Sequence, residues 1–516
     1  MIQLSSDTPK FGATFSKMDY NEYEKSGDSN LFESIIDNLI LEEYSDDEET
    51  KELIRSFPNK EKRISIASLL GDNILWNDIN DVHKSDITRY KKIKKITSLI
   101  RNYVKTADVR RKSHGEILTP FEELAKPMVK MLDKYEKNFW TKPYNIVLDS
   151  SAGYGTFLIL CLYKFMEGLK EWEPNEDLRL KHIIENQLYY GELQSRSVFS
   201  WLLAIDPYDD YKPNIYWGSF LDNQFDYHMK NVWGVDGFNL IIQNPPYQIQ
   251  KEGFKKTQPL WHLFVEKSIS ILKEDGYMIM VHPSGWRNVD GVFKKTQNLL
   301  KSKQILELSI HDEREGLNIF GAETRYDFYI LKNTECLFET KIICKNGVEE
   351  YSNLSKMEFI PNGMFNLFNS LLPRNESDDR VEIISDSSYH TQRPHLSKLM
   401  NNQYHFPCIY TVKSHDIATF WYSSLNDNGH FGIPKLIWSN FRISSAGSLV
   451  DENGEFGLTQ FSYAIVDKRE LLNDIKKAFD SKLFRDFMEL CSVGDMSINR
   501  KVIGIFRKDF WKSFIK

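Results

Sequence analysis

The residues best equipped for chemistry are Asn244-Pro245-Pro246-Tyr247, which close the apolar run Asn239-Leu240-Ile241-Ile242-Gln243. The run reads as a buried strand, and two prolines end it because neither can donate a ladder hydrogen bond. Pro245 also pushes Asn244 toward an extended conformation. A stiff turn results at the carboxyl end of a strand, the edge at which open α/β sheets bind their ligands. The turn brings two acceptors together, the side-chain carbonyl of Asn244 and the backbone carbonyl of Pro245. A planar amino group can donate one hydrogen to each, which draws its nitrogen out of conjugation and aims the lone pair at an electrophile. Tyr247 offers a flat face on which the planar group can stack. Taken alone, the four residues also suit a loop that closes an ordinary strand.

Other elements must position this turn. Asn145-Ile146-Val147-Leu148-Asp149 is a short apolar strand ending in an acid, and Ser150 to Phe157 make a glycine loop that opens a helix over 156–169. Gly153 and Gly155 let the backbone approach a ligand, and the helix N-terminus presents free N–H groups. The loop lacks the Gly-x-Gly-x-x-Gly of dinucleotide sites and the lysine of phosphate-binding loops. A second strand over 187–191 ends at Glu192, placed to bond ribose hydroxyls. Asn214 to Asp222 follow, with Gly218-Ser219-Phe220 at their centre. Beyond the turn come a helix over 259–272, a strand over 276–281, a helix to about 300 and a strand over 305–310. Residues 318–331 then read as a loop and a closing hairpin strand. Asp206-Pro207-Tyr208 echoes the turn but follows a helical stretch, and reads as loop. Alternating strands and helices predict a doubly wound α/β sheet.

Taken in order, Thr119-Pro120, the glycine loop, the acid, Gly218-Ser219-Phe220, Asn244-Pro245-Pro246-Tyr247 and a trailing domain resemble one family. It is the gamma-type, S-adenosylmethionine-dependent DNA adenine-N6 methyltransferases of restriction-modification systems. The resemblance covers residues 114–331 in specific motifs. It implies a methyl group passed from S-adenosyl-L-methionine to the N6 of an adenine rotated out of double-stranded DNA, with no metal. Thr119, in the segment His114 to Pro120, is then a contact to the methionine end of the cofactor. Asp149, Ala152, Gly153 and Gly155 form the cofactor loop, with Ser150 where proline is usual, and Glu192 binds the ribose. Phe220 stacks on the cofactor's adenine, and Ser219 stands where relatives carry an acid that accepts its amino hydrogens; a hydroxyl can still accept one. Asn244, Pro245, Pro246 and Tyr247 are the implied catalytic residues. Tyr247 and Phe320 are implied to sandwich the target base, although Phe320 equally suits a core position. The same turn serves enzymes that methylate RNA bases or protein glutamine, and a non-catalytic DNA-binding subunit can keep the fold; these stay as alternatives.

The net charge of -7 confines any nucleic-acid surface to a local patch. Five scattered cysteines, odd in number and without Cys-x-x-Cys, suit a reducing compartment and argue against a zinc site. Apolar runs are too short for a membrane span and the polar N-terminus does not read as a signal peptide, so an intracellular protein is expected. Three regions follow. Residues 1–113 form a helical N-terminal extension, whose basic helix over 84–112 carries Lys91, Lys92, Lys94, Lys95 and Arg101 opposite Ile93, Ile96, Ile100 and Val104. That basic face suits solvation or a rail for phosphates. Residues 114–340 hold the Rossmann-like methyltransferase sheet, where Thr119 caps a helix over 121–135. Residues 341–516 form an α+β domain in which lysines and arginines outnumber acids from Arg393 onward. Two readings fit it, target recognition on DNA or plain packing. A restriction or specificity subunit is the candidate protein partner.

Overall fold

Short apolar runs become the strands β1 (Val147–Asp149), β2 (Leu188–Glu192), β3 (Asn214–Trp217), β4 (Phe238–Gln243), β5 (Leu272–Pro283), β6 (Lys303–His311) and β7 (Tyr326–Glu335) in a computed structural model of the chain. The structure describes residue 35 and residues 73–107, 119–249, 257–375, 377–386, 388–414, 416–440, 442–493 and 497–515. Within their sheet these seven strands run in the order β6-β7-β5-β4-β1-β2-β3. β1 pairs in parallel with β2 and β4, β2 with β3, and β4 with β5, whereas β7 runs antiparallel to β5. The chain therefore winds outward from β1 in one direction and from β4 in the other. That makes β1/β4 the switch point, where such sheets open a crevice at their carboxyl ends. Both strands are almost wholly buried, as continuous apolar runs require when helices cover both faces.

By its contacts the chain divides into two units. One holds Met1–Pro283, Ser302–Leu308 and Asp312–Leu337; the other holds Ser284–Lys301, Ser309–His311 and Phe338–Lys516. In the first, a helix α1 (Asn73–Lys84) and a break precede the basic segment, which forms one helix, α2 (Arg89–Ala107), starting at Arg89 rather than at Lys84. The break has a local cause. Ser85 Oγ bonds back to the Val82 carbonyl at 2.6 Å, and Thr88 Oγ1 accepts from the Lys91 N–H at 3.4 Å. Hydroxyls that compete for backbone groups in this way end one helix and start the next. Ile93, Ile96 and Ile100 are buried in the same core as the sheet; the Val104 side chain and residues 108–112 lie outside the described residues.

The helix expected over 121–135 also departs from regularity. Phe121–Ala125 is a π-turn, followed by α3 (Lys126–Tyr135), and Pro120 rather than Thr119 occupies the N-cap. Pro127 has no N–H to return to Glu123, so the turn before it widens. The remaining helices of this unit that matter to the site are α4 (Thr156–Gly168), α5 (Ser195–Ile205), α6 (Trp261–Ser270) and α7 (Glu313–Phe320).

The second unit is α+β, as expected. Strands β8 (Thr340–Ile343) and β9 (Glu349–Ser352) form a hairpin, as do β10 (Phe406–Lys413) and β11 (Ile417–Ser423). In a further sheet β12 (Lys435–Ser439) lies between β13 (Ser448–Asp451) and β14 (Ser462–Val466). Lys435 is fully buried at the start of β12 and pairs with Asp451 at 2.7 Å. No helix among the described residues is long and apolar enough to cross a membrane.

Candidate active site

The loops leaving β1, β2, β3 and β4 converge on a cavity of ≈ 250 Å³. Ser150, Gly153, Glu192, Ser219, Phe220, Asn244, Pro245 and Pro246 all line it. The geometry at Asn244 is specific. Its Nδ2 donates to Thr119 Oγ1 at 3.2 Å, while its Oδ1 is buried and has no hydrogen-bond partner among the described residues. The Asn244 main-chain carbonyl accepts from Ser151 Oγ at 3.4 Å.

Gln243, the last residue of β4, is held from both sides. Ser150 Oγ donates to its Oε1, and its Nε2 donates to Ser268 Oγ of α6 at 2.6 Å. Ser150 thereby ties the glycine loop to the strand that presents Asn244, a bond that proline could not make. This buried chain escaped the sequence reading, although an amide closing an otherwise apolar strand was the signal for it.

Tyr247 is buried, with its hydroxyl unpartnered among the described residues. Burial pushes its phenol well above the ordinary range. Its carbonyl accepts from the Leu260 N–H at 2.9 Å, and a short ladder joins Gln248–Ile249 to Gln258–Pro259. Phe320 does not sit in a loop. It ends α7, which Asp312 opens with a capping box and Gly321 closes in the left-handed conformation. Its ring meets Tyr247 edge-to-face, with centroids 5.7 Å apart at 79°, and also packs on Tyr326. The two rings touch; they do not face each other across a gap.

Glu192 organises the other side of the cavity. Its Oε2 accepts from the Gly153 N–H at 2.8 Å, and its Oε1 from those of Leu193 and Gln194 at 2.7 and 2.9 Å. Gly153 has φ +51, and a Cβ there would meet nothing within 4 Å, so the loop leaves an open cradle. Gly155 differs. At φ +77 a Cβ would come within 2.2 Å of the Trp201 ring on α5, so close packing explains that glycine. Trp201 in turn stacks on Tyr190 at 5.2 Å.

Gly155, Asp149, Ala152 and Thr119 stand behind the cavity lining. Asp149 is buried, accepts from the Ser151 N–H at 3.2 Å, and has its carboxyl pushed well above the usual range by burial. Ala152 donates its N–H to the Gly191 carbonyl at 3.0 Å. Phe220 lines the cavity and packs against Phe225 and Phe264, with centroids at 4.8 and 5.4 Å. Tyr154, Gln194 and Phe264 are lining residues that the sequence reading missed. Tyr154 and Gln194 lie next to residues it did name.

Comparison with known proteins bears on this arrangement directly. Residues 148–320, which include the glycine loop, Glu192 and the Asn-Pro-Pro-Tyr turn, match the family model described as Eco57I restriction-modification methylase. This segment is similar to the restriction-modification methylases. The chain carrying it is 27% identical over 304 residues to the type II methyltransferase M.AccI of Acinetobacter calcoaceticus, a match covering 57% of this chain and 50% of that protein. It thus spans about half the length of the curated relative it matches. Among solved structures, a nuclease-deletion mutant of the type ISP restriction-modification enzyme LlaGI, bound to a DNA substrate mimic, is similar with a TM-score of 0.48. That match has 12% identity and covers 91% of this chain and 66% of the other. The M protein of the type I restriction enzyme EcoKI is similar with a TM-score of 0.33 and 15% identity, over 69% of this chain and 77% of that one. The matched span ends at Phe320, the residue whose ring touches Tyr247.

Proposed function

We propose that the chain transfers a methyl group from S-adenosylmethionine to the N6 amino group of adenine in double-stranded DNA, with the base turned out of the duplex. The observation that carries this reading is the Asn244 side-chain oxygen, buried and unpartnered among the described residues, at a cavity that Pro245 also lines. An unsatisfied buried acceptor costs about 1–3 kcal/mol, and an amino hydrogen donated by a substrate removes that cost. With the Pro245 carbonyl accepting the second hydrogen, the turn fixes the amino nitrogen and directs its lone pair. An amino group inside the base stack cannot reach such a pocket, which is why the base must leave it. The work of these residues is positioning and electrostatics.

The cavity suits the cofactor on its own terms. It sits at the switch point, with an open cradle at Gly153, a carboxylate at Glu192 and an aromatic wall at Phe220. Gly153, Glu192, Ser219 and Phe220 would hold it. When bound, it supplies an electrophilic methyl group. The second unit, with its aromatic and basic segments over 430–435 and 506–511, reads the target sequence, and the exposed Lys91 and Lys95 of α2 grip phosphates. A restriction or specificity subunit is the protein partner this reading assigns.

The test is transfer from labelled S-adenosylmethionine to mixed-sequence DNA, with digested nucleosides resolved by chromatography. Label is expected in N6-methyladenine. In Asn244→Ala the rate falls by about 10²-fold or more, while the cofactor still binds. Label in RNA or protein instead moves the substrate. Failure to bind the cofactor favours a non-catalytic DNA-binding subunit, the reading that Ser219 in place of an acid would support.

A further inference from the structure

Building on the methyl-transfer reading, we infer that Thr119 is a positioning residue: its hydroxyl sets which end of the Asn244 amide faces the substrate. A carboxamide has an accepting end and a donating end of nearly the same shape, so packing alone does not choose between them. The chemistry needs the oxygen. In the structure Asn244 Nδ2 is tied to Thr119 Oγ1 at 3.2 Å, which leaves Oδ1 as the open end, buried and without a partner among the described residues. With the amide reversed, the hydroxyl would have to donate and both N–H hydrogens would be stranded where one oxygen now lies. Those donors would meet a substrate amino group donor to donor, which the present orientation avoids.

Thr119 is itself held in place. The next residue, Pro120, is extended at φ -61 and ψ 129, and its carbonyl accepts from the N–H groups of Leu124 and Ala125 at 3.1 and 2.9 Å. The head of the π-turn therefore anchors the hydroxyl. Thr119 is half-buried and stands outside the cavity lining, so its contact with Asn244 is direct and its contact with the cavity is not. The two residues lie 125 positions apart, and the bond joins the segment before the sheet to the turn after β4.

The experiment compares Thr119→Val, which keeps the shape and removes the hydroxyl, with Thr119→Ser, which keeps the hydroxyl. Rates are measured at saturating labelled S-adenosylmethionine, KM for the cofactor is measured separately, and thermal melting confirms the fold. Expected for Thr119→Val is a kcat lower by about tenfold or more with KM for the cofactor unchanged, the weight of one lost orienting hydrogen bond. Thr119→Ser recovers most of the rate. If Thr119→Val fails to fold, Thr119→Ala and Thr119→Ser carry the same contrast. A raised cofactor KM with kcat intact overturns the proposal and makes Thr119 a cofactor contact; no change in either constant also overturns it. Should the wild-type chain methylate RNA or protein rather than DNA, the same ratio is read on that acceptor. A wild-type chain that binds the cofactor and methylates nothing overturns both readings.

Discussion

Two buried polar clusters, one in each unit, differ in whether their hydrogen bonds are complete. In the second unit Lys435 donates to the carbonyls of His430 and Ile433 at 3.0 and 3.1 Å and to Asp451 Oδ2 at 2.7 Å, which uses all three of its hydrogens. Asp451 accepts in addition from the N–H groups of Glu455 and Phe456 at 2.8 and 3.0 Å. In the first unit the Asn244 side-chain oxygen and the Tyr247 hydroxyl are buried with nothing to bond among the described residues. A complete network fixes a turn and has no capacity for a ligand. An incomplete one, at the carboxyl edge of a switch point, is a place set for a missing partner. Buried polarity thus marks structure at Lys435 and, on the proposed reading, chemistry at Asn244.

The contrast can be broken from its closed side first. Lys435→Met strands Asp451 as an uncompensated buried charge and should destabilise by about 3–5 kcal/mol in chemical denaturation. Adding Asp451→Leu should return much of that loss, because well-packed apolar replacements of a whole buried pair are often neutral. A single variant no less stable than wild type would show the pair to be dispensable.

The next effect is smaller and depends on pH. His282 is wholly buried, stacked on Trp261 at 4.2 Å and bonded to the Tyr329 hydroxyl at 3.0 Å, and burial lowers its pKa to about 3. The folded ring stays neutral while the unfolded ring takes up a proton below 6.5, so its contribution is intact above 6.5 and is lost as pH falls toward 3. The slope is about 1.4 kcal/mol per pH unit. Between pH 6.5 and 5, His282→Gln should therefore lose about 2 kcal/mol less than wild type, compared by denaturant midpoints at each pH.

The smallest effect sharpens the open side. Tyr247→Phe removes an unpartnered buried hydroxyl, and stability should hold or rise by up to about 1 kcal/mol. The transfer rate should stay within about fivefold of wild type if the ring, rather than the hydroxyl, receives the base. A loss as large as that of Asn244→Ala would assign the hydroxyl a role in the reaction.

Much of this was legible in the sequence. Strands buried on both faces read as continuous apolar runs, and Asp149, Glu192 and Asn244 each fall at or just past the end of one. The misreadings have local causes. Ser85 and Thr88 delay the start of the basic helix through their hydroxyls, and Pro127 opens the turn after Thr119. Helix α7 is short enough to pass for a loop, although Asp312, Glu315 and Gly321 had written its two caps. The bonds from Ser150 to Gln243 and from Thr119 to Asn244 span 93 and 125 residues, a separation over which no periodicity speaks. Spacing shows which residues sit at the edge of the sheet, but not which of them hold one another.

The contact between Tyr247 and Phe320 has one more consequence. Edge-to-face aromatic pairs are worth about 0.5–1.5 kcal/mol beyond the area they bury. If that contact alone held the rings together, roughly a tenth to a third of the molecules would stand parted at any moment. On the proposed reading, a flat base entering between them draws on that population. Its apparent affinity is diluted by the same fraction, a discount that a base already loosened from its stack can best absorb.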